Sequence, residues 1–146
     1  MSFFSHSVKF VMDTGTSQHI CNDKNLFVDK LVKCKGVEIS WLGGSVSAKG
    51  VGTTKLSLIN DQHRSHNILL HNVLYVPASL VNLISPQRWA QESDMKEGSN
   101  KGIFFCNFGD EAIFVWNQRK YMKSIFNDPD TNLPVLQCKD NDEDTL

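Results

Sequence analysis

At 146 residues, with 40% hydrophobic and 21% charged side chains, the chain is of a size for one domain with a real core. No apolar run approaches the ~20 residues a bilayer crossing needs, so no membrane association is expected. A net charge of −1, with Lys and Arg spread out and no basic stripe carrying interleaved aromatics, argues against nucleic-acid binding as the main role.

Met1-Ser2-Phe3-Phe4-Ser5 lacks the basic start and long apolar stretch of a signal peptide. Cys21, Cys34, Cys106 and Cys138 are scattered, with no close pair, a spacing suited to free thiols in a reducing compartment rather than to a disulfide framework. An intracellular, cytoplasmic setting is therefore expected.

Taken in chain order, residues 7–13 predict a strand that ends on a lone carboxylate, Asp13, followed by Thr14 and Gly15. An acid directly after an apolar strand is costly unless solvent, hydrogen bonds or a partner charge compensates it. Gly15 frees the backbone to turn or to be approached closely, so Asp13 looks placed for chemistry. Residues 14–23 read as a polar turn and 26–32 as a short apolar patch with one helical turn. Residues 37–42 alternate like a half-buried strand, Gly43-Gly44-Ser45 forms a flexible tip, and 46–58 returns as a second strand through Gly50 and Gly52. A glycine-rich tip of this kind can bend over a ligand.

Residues 59–66 form a polar turn, and 68–76 read as a strand buried on both faces, stopped by Pro77. After the apolar segment 80–84, Ser85-Pro86 supplies an N-cap and first position for a helix over 87–92. Two strands, 103–108 and 112–116, flank Gly109-Asp110, and 121–126 predicts a final short strand. Short strands, glycine tips and a single helix indicate a mainly β, closed or partly closed barrel over residues 1–126. Residues 127–146 carry six acidic groups against Lys139 alone, a balance of −5. The rest of the chain, with 14 basic and 10 acidic residues, carries +4. With Pro129, Pro134 and little periodicity, 127–146 reads as a mostly disordered acidic tail.

Three segments, in order, carry a resemblance. Phe10-Val11-Met12-Asp13-Thr14-Gly15-Thr16-Ser17-Gln18-His19-Ile20 resembles the active-site segment of the aspartic proteases in Copia-type retrotransposon polyproteins. Trp41-Leu42-Gly43-Gly44-Ser45, with Gly50-Val51-Gly52-Thr53, is similar to the flap region of that family. Asn72-Val73-Leu74-Tyr75-Val76-Pro77 with Asn82-Leu83-Ile84-Ser85 matches a third segment. The similarity runs over residues 8–92, more weakly to 126. Thr16 stands where alanine is commonest, Trp41-Leu42-Gly43 replaces a more polar approach to the tip, and Ala78 stands where glycine is frequent.

The resemblance implies a retropepsin-like, acid-protease-like barrel acting as a C2 homodimer that cuts peptide bonds in a polyprotein. Such hydrolysis activates water between two carboxylates that share a proton. This chain offers one Asp-Thr-Gly, so two-fold symmetry would bring Asp13 against its own copy. By the same resemblance Thr14 bonds across the interface, Gly15 permits close approach, and Trp41, Leu42, Gly43, Gly44 and Ser45 close over extended peptide. The partners implied are a second copy and a peptide or polyprotein substrate, in the cytoplasm or in retrotransposon particles. No cofactor and no metal is implied.

Plainer readings stand beside these. His19 reads as a satisfied structural histidine, and His63, His66 and His71 as surface groups without metal-ligand spacing to any cysteine. Trp41, Trp89 and Trp116 read as core or flap packing, and Cys21 as an inert thiol. Asp13-Thr14-Gly15-Thr16-Ser17 also looks like the first phosphate motif of sugar kinases with the actin-type ATPase fold, but the second phosphate loop and adenosine motif are missing. The non-enzymatic alternative is a domesticated, proteolytically inactive β-barrel kept for self-association or peptide binding.

Overall fold

The computed structural model describes residues 7–34, 36–41, 44–94, 104–107, 109, 111–116 and 121–139. Strand β1 (Ser7–Met12) sends Phe10 and Met12 into the core, and Val11 between them is buried as well. The two-residue β2 (Ile20–Cys21) lies inside the stretch expected to be a polar turn. Asp23 then opens a 3₁₀ turn at Lys24–Leu26, its carboxylate accepting from the Asn25 N–H at 2.9 Å, and the turn buries Leu26. An acidic oxygen on a free N–H at a helical start is the ordinary capping arrangement.

The hairpin β3 (Glu38–Trp41) and β4 (Gly44–Ser47) forms a separate two-stranded sheet. The returning strand expected over 46–58 is therefore two elements, because the chain breaks at Ala48-Lys49 before β5 (Gly50–Ile59). β5 pairs antiparallel with β6 (Ser65–Tyr75), and the register shifts between Gly52 and Thr54. Their turn is organised by the buried Asn60, whose Oδ1 accepts from the N–H groups of Gln62 and Arg64, each at 2.9 Å. β6 is buried on both faces, as expected, only at its end, where Val73 and Leu74 lie in different apolar clusters; its first half has one face to solvent. Ile68 and Leu70 point inward while Leu69, between them, is 43% exposed, the alternation of a strand with one face to solvent.

β7 (Asn82–Ile84) leads into α1 (Pro86–Asp94), the helix expected after Ser85-Pro86. Ser85 accepts from the Arg88 N–H through Oγ and from the Trp89 N–H through its carbonyl. β8 (Phe104–Asn107), β9 (Glu111–Trp116) and β10 (Tyr121–Phe126) form a three-stranded antiparallel sheet. β11 (Val135–Lys139) corrects the expectation of a disordered tail from residue 127. It lies antiparallel to β1 along the whole register from Ser7–Lys139 to Val11–Val135. Leu136 and Cys138 are buried and outweigh the acidic composition of their surroundings. Residues 140–146 lie outside those described.

Pairing runs β1-β11-β5-β6-β2-β7 and returns to β1, where β7 lies parallel. Among the described residues the ring is thinnest at the Lys139–Ser57 and Ile20–Leu83 pairs. Phe10, Leu56, Leu58, Ile68, Leu70, Ile84 and Leu136 fill its interior with Trp89 of α1. Burial of each such side chain contributes roughly 1.5–3 kcal/mol. A second cluster of Ile20, Ala48, Leu74 and Val76 holds the β3–β4 hairpin against the ring through Ile39 and Val46. Residues 27–32 lie along the free edge of β5 through the Phe27–Thr54 and Val32–Val51 bridges. Gly52 makes room for this, since a Cβ there would come within 2.8 Å of the Asp29 carboxylate that accepts from the Thr53 N–H.

Candidate functional site

Asp13 follows β1 directly, and its backbone N–H donates to the Ile84 carbonyl at 3.0 Å, continuing the β1–β7 contact by one residue. The chain then turns, with the Thr16 N–H donating to the Asp13 carbonyl. The Gly15 N–H reaches the Asp13 carboxylate, donating to Oδ1 at 2.8 Å. A Cβ at Gly15 would stand 3.1 Å from that same oxygen, which gives the residue type at this position a steric reason. The Gly15 N–H fixes the orientation of the carboxyl group. Asp13 is half-buried, whereas Thr14 and Gly15 are exposed.

Helix α1 grips the loop from outside. The Gln87 Nε2 donates to the Thr14 carbonyl at 3.0 Å and to the Thr16 carbonyl at 2.8 Å. The helix is in turn tied down by His19, a fully buried side chain whose Nδ1 accepts from the Ser85 N–H at 3.1 Å. Its Nε2 lies 3.6 Å from Glu92 Oε2, beyond hydrogen-bond reach yet close enough for attraction. Glu92 also accepts from the His71 N–H and from Arg88 Nε. These bonds give His19 a structural setting.

Asp13, Gly15 and Thr16 open onto a cleft of about 640 Å³. One wall comes from Glu38, Ile39 and Val46 of the hairpin, the other from Val76, Leu83 and the turn through Leu80 and Val81. Leu80 is 96% exposed, so this rim offers unpartnered apolar surface beside a carboxylate. The lining is mostly aliphatic, with Asp13 and Glu38 as its charged members. Apolar walls with a few convergent polar groups suit an extended chain of mixed side chains.

Of the expected flap residues, Trp41 pairs with Gly44 at the outer end of the hairpin, and Ser45 pairs with Ser40. Gly44 has φ 144°, a conformation that favours glycine. Leu42 and Gly43 lie outside the described residues. The cross-strand pair Ile39–Val46, not singled out from sequence, is what faces the cleft. Period-two alternation along β3 is the signal that could have found Ile39. Gln87 had no such signal.

Cys21 and Cys138 are buried, and burial pushes both thiols up to about 12. A raised thiol pKa means stability that is complete below about pH 9 and is lost as pH rises toward 12, because the unfolded thiol ionises first. In the native chain, a thiol reagent at neutral pH should modify the half-buried Cys34 and leave Cys21 and Cys138 until denaturant is added. Peptide mapping after labelling checks this, and early modification of Cys138 would contradict the burial of β11. Burial and the nearby Arg64 lower the His66 pKa, and its Nε2 lies 2.9 Å from Asn60 Nδ2. Among the described residues no three His, Cys, Asp or Glu side chains converge as a metal site.

Comparison with known proteins adds lineage to this geometry. Residues 10–94 match the family described as "Pol polyprotein, beta-barrel domain". A transposon Ty5-1 protein of Saccharomyces cerevisiae is 32% identical over 79 residues, which cover 54% of this chain and 48% of that protein. The chain thus spans about half the length of the curated relative it matches. No solved structure matches.

Proposed function

The chain belongs to the Pol polyprotein β-barrel domain family, a retrotransposon polyprotein region, and from that premise we propose that it is an aspartic endopeptidase acting as a C2 homodimer. The observation that carries the reading is Asp13 itself, held by the Gly15 N–H on an apolar cleft walled on one side by a hairpin. One carboxylate per chain is half of the machinery for activating water. Across a two-fold axis the second Asp13 supplies the other half, and the pair shares one proton because close like charges cannot both ionise cheaply. One oxygen takes a proton from the attacking water while the protonated partner donates to the scissile carbonyl oxygen. The exposed Thr14 hydroxyl bonds across the axis, and the hairpin closes over the substrate to exclude water. An extended peptide pairs with strand edges and sets aliphatic side chains against Ile39, Val46 and Val81.

The direct test is the separation of the two Asp13 carboxyl groups in a dimer, by crystallography or by distance measurement in solution. Hydrogen-bonding proximity supports the dyad, as does tight binding of a statine-type transition-state mimic at acidic to neutral pH. A solitary folded chain, or a dimer whose contact lies away from Asp13, removes the protease reading. A close dimer that binds peptide without cutting it identifies the non-enzymatic module instead.

A further inference from the structure

Asp13 is fixed on one side by β1, but the loop that carries its Gly15 N–H is exposed and has little core of its own. We infer that Gln87 is a positioning residue, a clamp on helix α1 that holds the Thr14–Thr16 loop and through it the orientation of the Asp13 carboxyl. Its side-chain amide carries two N–H groups, and the two nearest acceptors are both backbone carbonyls, Thr14 at 3.0 Å and Thr16 at 2.8 Å. Only the nitrogen end can satisfy both, so the direction of the amide is set by chemistry. These two carbonyls flank Gly15, whose N–H holds Asp13 Oδ1 at 2.8 Å.

A clamp is only as rigid as its base, and the base here is firm. Two residues beyond Gln87, Trp89 is 1% exposed in the core. One turn of helix is tied to β7 through Ser85, whose N–H is received by the buried His19. Further along, Glu92 takes the His71 N–H from β6 and the Arg88 guanidinium, and faces His19. Gln87 itself is exposed, so it adds little to core stability while touching the one loop that carries the acid. That separation between small stability effect and large local effect marks a positioning role.

The catalytic consequence rests on the protease reading above; the loop-fixing role does not. The test is Gln87→Ala and the nearly isosteric Gln87→Glu, whose ionised carboxylate has no N–H to donate, each compared with wild type. Three quantities are read: amide hydrogen exchange at Gly15 and Thr16, melting temperature, and kcat and KM on a peptide substrate. In both variants exchange at these two amides should rise by about tenfold or more, as expected when bonds of ordinary net strength are lost. Melting should shift by only about 2–4 °C, as for a surface substitution. The kcat should fall about 10–100-fold with KM within about twofold, the pattern of a misplaced reacting group rather than lost binding. Selective loosening of the loop in a chain whose wild type cuts nothing sustains the clamp and sinks the protease reading. Unchanged exchange at Gly15 and Thr16 overturns the inference, and so does a general loss of protection across α1 with a large fall in melting temperature. Loosened exchange with undiminished kcat in an active enzyme overturns its catalytic part.

Discussion

In the homodimeric protease proposed above, Asp13→Asn should lower kcat/KM by about 10³-fold while leaving fold and assembly intact, within the range expected for loss of acid–base chemistry. The substitution is nearly isosteric. The Asn oxygen can still accept from the Gly15 N–H, and the backbone bond from residue 13 to Ile84 does not involve the side chain. What disappears is the ability to exchange a proton, and in the proposed homodimer it would disappear from both subunits at once. The measurement is steady-state cleavage of a peptide, paired with circular dichroism and sedimentation to show that fold and assembly persist. A variant that cuts as fast as wild type would mean that another group activates water. A mixed dimer of wild-type and Asn chains should be inactive as well, because each dyad needs both contributions.

The second large effect falls on stability. A chain ended after Phe126 should lose its cooperative thermal transition, whereas one ended after Lys139 should keep it. β11 covers one edge of β1 along its length, and its Leu136 and Cys138 are 0% and 2% exposed in the core. Each buried apolar side chain contributes roughly 1.5–3 kcal/mol. Removal also strips hydrogen bonds from β1 and exposes Phe10, and a whole domain is stable by only about 5–15 kcal/mol. If the shorter chain melted like the longer one, the placement of β11 between β1 and β5 would be refuted.

Much of this architecture is legible in the amino-acid order where local pattern and tertiary role agree. β1, the β3 strand, the Ser85-Pro86 helix start and the strands around Gly109 all announce themselves by period or by capping chemistry. Two strands do not. β2 is only two residues long in a polar setting, and what makes it a strand is its pairing with Leu74 and Leu83, far away in sequence. β11 is hidden by averaging, because six acidic residues in 127–146 dominate the composition while the buried Leu136 and Cys138 flank an exposed Gln137 quietly among them. The candidate site divides in the same way. Asp13, Thr14 and Gly15 form one contiguous string that can be read directly. The Gln87 clamp and the cleft-facing Ile39–Val46 pair arise from folding distant segments together.

The neighbour relation between β1 and β11 also dictates timing. During synthesis the strand that delivers Asp13 is made near the beginning of this stretch, yet one of its two partners emerges from the ribosome only after nearly all of it has been translated. Contacts of such long sequence separation form late and slowly. The ring therefore stays open on a nascent chain until β11 has emerged, and the carboxyl acquires its finished surroundings only then.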